Sequence, residues 1–294
     1  MKRVLSVLAL TALLCGTPVM AKSSAEVRAG AVESAKAAVH DKQLEVVKEA
    51  VEAVLLTQKV LEDLDKKDTE AAKKGLEKAI GKLEVVLAHE NAPVLLPIDS
   101  TMTATEYLGD LGSVEETLDS VKKLLAVGKV QEARRLLDTL QSEIDIVTLN
   151  LPLVSYPQAL KLAAKYLADG KMEEAGDILE MALRTLVRDE IVIPLPPLKA
   201  EALIEAARKS AKFDKKQALK HLEAAREELK IAKALGYTSA SDTTYKALDE
   251  EIERVEKEIK GKNEAGKLFE KLIGKLKDFK EKSVKKIHTE KSEK

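Results

Sequence analysis

Tryptophan is absent from this 294-residue chain, and all aromatics together make up only 3% of it. Broad aromatic platforms for stacking bases or sugar rings are therefore excluded. A basic excess is missing too. Lys and Arg number 49 against 50 Asp and Glu, so the electrostatic footprint of a nucleic-acid protein is not there, and no nucleic-acid partner is expected. The single cysteine, Cys15, lies near the start, which leaves the body of the chain without disulfide or thiol chemistry. Four histidines, His40, His89, His221 and His288, stand far apart. None has metal-ligand spacing, and HENAP at 89–93 is not a zinc-protease motif. The acid pairs Glu115-Glu116 and Glu173-Glu174 fall in helix first turns, where carboxylates complement the helix dipole. With no nucleophile elbow and no phosphate loop, we assign no catalytic residue, no cofactor and no metal ligand, and expect a protein that is not an enzyme.

What is present begins with an address. MKRVLSVLALTALLCGTPVMAK has the parts of a secretory signal: Lys2 and Arg3, an apolar run from Val4 to Cys15, then small residues at Val19 and Ala21. Cleavage after Ala21 is expected, with export to a bacterial periplasm. A lipid anchor on Cys15 is the rival, although Leu14 is not the small residue such anchors want before the cysteine. After residue 21 no run approaches the ~18 apolar residues a bilayer span requires, so no transmembrane segment is expected in the mature chain.

The body is organised by a recurring hairpin, clearest at Leu160–Leu186. After the turn at Asp169-Gly170-Lys171, Ala175, Ile178, Leu179, Ala182, Leu183 and Leu186 fall on one face of a 3.6-residue helix. Ala72, Ala133 and Ala218 open the same pattern, each with Leu four positions on. Alanine allows close helix approach and leucine fills the space one turn later. The anchors lie 61, 42 and 43 residues apart, and periods of about 40 mark stacked helical units. Gly128 and Gly170 suit the positive φ of a helix C-terminus, while Asp68 and Asp214 suit helix N-caps. Gly75 and Gly81 suit close packing inside the first hairpin. The spacing predicts an all-α fold: stacked helical hairpins in a repeat-like bundle, with a C-terminal helical hairpin.

The expected division is a signal at 1–21, an N-terminal arm at 22–42, a hairpin repeat domain at 43–237, a C-terminal hairpin at 238–282 and a basic disordered tail at 283–294. Within the repeat domain, Thr103–Glu106 and Ser113–Glu116 read as capping boxes, the first opening a short helix that ends near Gly109–Gly112. Tyr245, Leu248, Ile252, Val255 and Ile259 form one heptad-like seam. Phe269, Leu272, Leu276 and Phe279 form another. These two helices should pair and dock on the repeat domain or on a second subunit.

Three hairpins exit into apolar, proline-bearing segments that favour extended chain. Their residues Leu95, Leu96, Pro97, Leu151, Pro152, Leu153, Tyr156, Ile193, Pro194, Leu195 and Pro196 are the candidate groove or interface. They either seal the hairpin ends or line a shared apolar groove.

LLPID at 95–99, IPLP at 193–196 and KKQALKHLEAAREELKIAKALGY at 215–237, set among hairpins behind a signal peptide, resemble the YfdX family of exported bacterial proteins over residues 45–280. The resemblance implies a helical periplasmic protein associated with acid or multidrug stress. It also implies self-association and binding of small molecules or unfolded clients, with no catalytic residue to carry over. The expected function is a non-enzymatic binding or stress-protection protein, chaperone-like or small-molecule binding. Its expected partners are a second copy of itself, client polypeptides or small apolar molecules. The alternatives are a ligand-free oligomerisation module acting through residues 245–280 and an enzyme whose residues gather from separate hairpins.

Overall fold

The computed structural model describes residues 22–40, 47–89, 92–238, 243–262 and 265–289. The expected signal, with Cys15 and its cleavage point, lies outside them. Eleven helices occur among the described residues. Five hairpins follow a single helix α1 (Ser24–His40): α2–α3 (Lys48–Asp65, Thr69–Leu87), α4–α5 (Leu111–Ala126, Val130–Asp138), α6–α7 (Tyr156–Ala168, Met172–Arg184), α8–α9 (Leu195–Ser210, Lys215–Ala234) and α10–α11 (Thr243–Lys260, Gly266–Ser283).

Alanine anchors build the hairpins as their spacing predicts. Ala72, Ala175 and Ala218 are fully buried and Ala133 is 1% exposed. Asp68 and Asp214 cap α3 and α9, accepting from the backbone N–H of Ala71 and Gln217 at 3.0 and 2.9 Å. Four helices close in the same way: α2, α4, α6 and α9. In α6, for example, Gly170 N–H donates to Leu167 and Lys171 N–H donates to Tyr166. This closure needs positive φ at its central residue, met by Gly128, Gly170 and Gly236 at 76°, 77° and 79°, and by Lys67 at 61°. Gly75 sits where α3 crosses α2 so closely that a Cβ would stand 2.7 Å from Val60 Cγ2; at Gly81 nothing would lie within 4 Å.

Hairpins pair in two bodies. α2–α3 packs on α6–α7, burying Ala53, Val60, Leu76, Leu160, Leu167 and Leu179 in one core. α8–α9 packs on α10–α11, and there both heptad-like seams are consumed: Leu248, Ile252, Val255 and Ile259 meet Phe269, Leu272, Leu276 and Phe279. The fourth hairpin thus shares its core with the C-terminal hairpin and not with the third.

The proline-bearing exits are extended, as expected, but they also pair with one another. β1 (Leu95–Thr105), β2 (Glu143–Pro152), β3 (Val187–Pro194) and β4 (Lys285–Thr289) form an antiparallel sheet in that order. Two expectations are corrected here. Thr103–Glu106 opens no short helix, because Thr103–Thr105 continue β1 opposite Asp145, Ile144 and Glu143; β-branched threonines suit a ladder. Residues 285–289 do not extend as solvated tail, since the otherwise free backbone edge of β3 pairs with them from Arg188 to Val192. A helix start also moves. Asp110 and not Ser113 is the N-cap of α4, and the two make a reciprocal capping box. The N-terminal arm is helical and docked: Val32 and Ala35 of α1 pack on Ile144, Ile193, Leu195 and Leu198.

Candidate functional site

The eleven residues singled out from the sequence are not gathered at one place. Leu95, Leu96 and Pro97 pair with Pro152, Leu151 and Asn150 at one end of the β1–β2 ladder. Leu96, Leu151, Leu153 and Tyr156 are buried in the core of the first body. Ile193 and Pro194 pair with Ile144 and Glu143 at the opposite end of β2. Ile193 and Leu195 join the core under α1, and Pro194 and Pro196 are buried beside them. Only Leu95, Pro97 and Pro152 stay half-buried. The two groups thus lie at opposite ends of β2. Tyr156 has its hydroxyl buried beside Thr57. Burial pushes its phenol up to about 12, and neighbouring Thr57 offsets this only in part.

An accessible hollow does occur beside them. It is an open depression of about 480 Å³ lined by Leu149, Glu180, Leu183, Arg184, Leu186 and Arg188. Leu149 comes from β2, directly opposite Arg188 of β3. Leu183 and Leu186 come from the end of α7 and the residues just after it. All three leucines pack on the edge of the first core while remaining half-buried. The rim is charged but compensated: Arg184 donates to Glu180 at 3.0 Å and Arg188 lies 3.4 Å from Glu190. Strand alternation continues the floor along one sheet face through Val147 and Asp145. Desolvation, then the charge of Glu190, raises the Asp145 carboxyl above its ordinary range. Sequence reading placed Leu183 and Leu186 on the core stripe of α7 and could not show that they stand at its rim. Nothing in the spacing of Arg184 and Arg188 pointed to a site, since they stand on either side of a helix–strand junction. Such a surface can hold an apolar group or a short apolar chain. No cluster of three His, Cys, Asp or Glu able to hold a metal occurs among the described residues.

A second buried polar centre fastens α1. Nδ1 of His221 lies 2.9 Å from Ser24 Oγ, and its Nε2 lies 3.2 Å from Gln217 Nε2. The same Gln217 amide donates to the Lys22 carbonyl at 3.2 Å. With the amide oriented that way, Nε2 of His221 accepts and Nδ1 donates, which describes a neutral ring. Desolvation lowers the histidine below its ordinary value, and Asp214 opposes this. Nearby, Arg28 of α1 pairs with Glu228 at 2.6 Å. Burial raises the Glu228 carboxyl against the pull of Lys199 and Arg28. Lys199 in turn pairs with Glu106 at 2.6 Å.

Comparison with known proteins bears on the first body and the sheet. The family model described as YfdX protein matches residues 53–192, from within α2 into β3. A solved structure of Salmonella Typhi YfdX is similar at 17% identity, covering 51% of this chain and 93% of that one, with a TM-score of 0.38. No curated protein matches the chain.

Proposed function

We propose, from the match of residues 53–192 to the family model described as YfdX protein, that this chain is a non-enzymatic binding protein of the bacterial periplasm. Its ligand is a small apolar molecule or an apolar stretch of an unfolded client. The observation that carries this reading is the hollow floored by Leu149, Leu183 and Leu186. Its two arginines are each matched by a glutamate, so the rim has no net charge to offer a strongly ionic ligand, and recognition falls to apolar burial. Among the described residues no helix is long and apolar enough to cross a membrane.

The test is native mass spectrometry of protein isolated from its own periplasm, beside an assay for suppression of aggregation of acid-stressed periplasmic proteins. Wild type should carry a bound species or suppress aggregation, and Leu183→Asp should lose that activity while keeping its helical circular dichroism. A wild type that does neither, or a Leu183→Asp variant that equals it, defeats the reading. N-terminal sequencing of the same sample should begin at Lys22. The rival reading of 245–280 as an oligomerisation seam has less to draw on, because those apolar residues are buried inside the second body.

A further inference from the structure

Of the five hairpins, four are matched two by two, and α4–α5 is left over. Its sequence runs in register with α6–α7 at an offset of 42 residues, Gly128 falling on Gly170 and Ala133 on Ala175. In α6–α7 the positions around the turn face the partner hairpin. Leu167 is 2% exposed, Leu179 is fully buried, and Met172 packs on the same core and receives the Thr69 hydroxyl at 3.1 Å. The corresponding residues of α4–α5 are Leu125, Leu137 and Val130, exposed by 49%, 44% and 50%. Val127, at the tip where α6–α7 carries Asp169, is 69% exposed. The hairpin therefore presents its partner-facing apolar positions to solvent. α4 leans on α9, with Val114 and Val121 its two buried residues, which leaves the turn end free.

Charge identifies what covers it. Residues 121–137 hold five cations, Lys122, Lys123, Lys129, Arg134 and Arg135, against one acid, Glu132, in a chain whose net charge is −1. The matching stretch of α6–α7, residues 163–179, holds two cations and four acids. Lys122 and Lys129 are engaged by Asp119 and Glu132 at 2.9 and 3.2 Å. Lys123, Arg134 and Arg135 are exposed and make no ion pair among the described residues. Helical spacing puts Lys122 one turn from Leu125 and Arg134 one turn from both Val130 and Leu137. An apolar tip ringed by long cationic side chains is the form that lies at a lipid headgroup boundary, its leucines and valines among the acyl chains and its cations on the phosphates. A second copy of the same tip would bring five cations against five, which disfavours self-pairing.

We propose that the turn end of α4–α5 is a peripheral membrane contact that docks on anionic phospholipid. The site lies on a different hairpin from the Leu149–Leu186 hollow and does not depend on that hollow binding anything.

Flotation of the full mature chain with vesicles tests it, using phosphatidylcholine alone and phosphatidylcholine mixed with phosphatidylglycerol. Wild type should float with the mixed vesicles at low salt, remain behind with phosphatidylcholine alone, and be released as salt is raised. Reversing two free cations together, Lys123→Glu with Arg134→Glu, should weaken partition by about twentyfold or more. Val127→Asp should abolish it with helicity and melting temperature unchanged, since that side chain stands in solvent. The proposal is overturned if wild type ignores the mixed vesicles, or if the variants float as wild type does. It is equally overturned if wild type dimerises without lipid and Val127→Asp abolishes the dimer, because the tip then belongs to a second copy.

Discussion

At Lys67 the chain does with a side chain what it does elsewhere with glycine. Its φ of 61° and its bonds, Lys67 N–H to Leu64 and Asp68 N–H to Asp63, repeat the closure built on Gly128, Gly170 and Gly236. A left-handed lysine carries about 1 kcal/mol of steric cost that glycine avoids, partly offset by glycine's greater freedom in the unfolded chain. Lys67→Gly is therefore expected to stabilise by up to about 1 kcal/mol in chemical denaturation, and a loss of stability would contradict the closure described. His221 makes a second residue-scale expectation. Its folded value lies below the ordinary 6.5, so as pH falls through about 6.5 the unfolded chain takes up a proton that the folded chain refuses. Stability held above that pH is lost progressively below it. His221→Gln should flatten the pH dependence of the melting temperature between neutral pH and the acid limit set by the lowered value. Curves for variant and wild type that stay parallel through that range would show that the ring is not held neutral against Gln217 and Ser24.

Between elements the same residue type meets different fates. Leu179 and Leu137 occupy one position of the repeat, yet Leu179 is fully buried under α2–α3 and Leu137 is 44% exposed. Leu179→Ala should cost about 3 kcal/mol and Leu137→Ala under about 1 kcal/mol. Equal losses would mean that α4–α5 is covered after all. The contrast also marks how far sequence reading reaches. Alanine–leucine spacing is a local signal, so the hairpins, their turns and their caps at Asp68 and Asp214 were legible. Which hairpin meets which is not written in that spacing, because all share it. The sheet was half legible. Proline and apolar content showed β1, β2 and β3 to be extended, but their pairing joins residues such as Leu96 and Leu151 far apart in the chain. Thr103 and Glu106 fit a cap as well as they fit a strand end. The Leu149–Leu186 hollow arises only from that nonlocal pairing, so its residues carried no mark of a site.

For the whole molecule, both ends of the described chain return to its middle. α1 spans from His221 of the second body to Ile144 and Ile193 of the sheet, and β4 leaves α11 to pair with β3. The sheet is thus the bridge: β1 and the far end of β2 belong to the first core, while β3 leads directly into α8 of the second. β3 is held on one side by β2 and on the other by β4, so removing residues 285–294 should free one row of its backbone groups. The α11 seam that packs the second body ends at Phe279, upstream of the cut, and global melting should change little. Hydrogen exchange should separate the two effects. In the truncated chain the β3 amides that face β4 should lose protection by about tenfold or more, while those facing β2 and the amides of α8 and α9 keep theirs. Protection unchanged along β3 would remove β4 from the sheet and restore residues 285–289 to solvent, whereas a general loss through α8 and α9 would make the last strand a support of the whole second body.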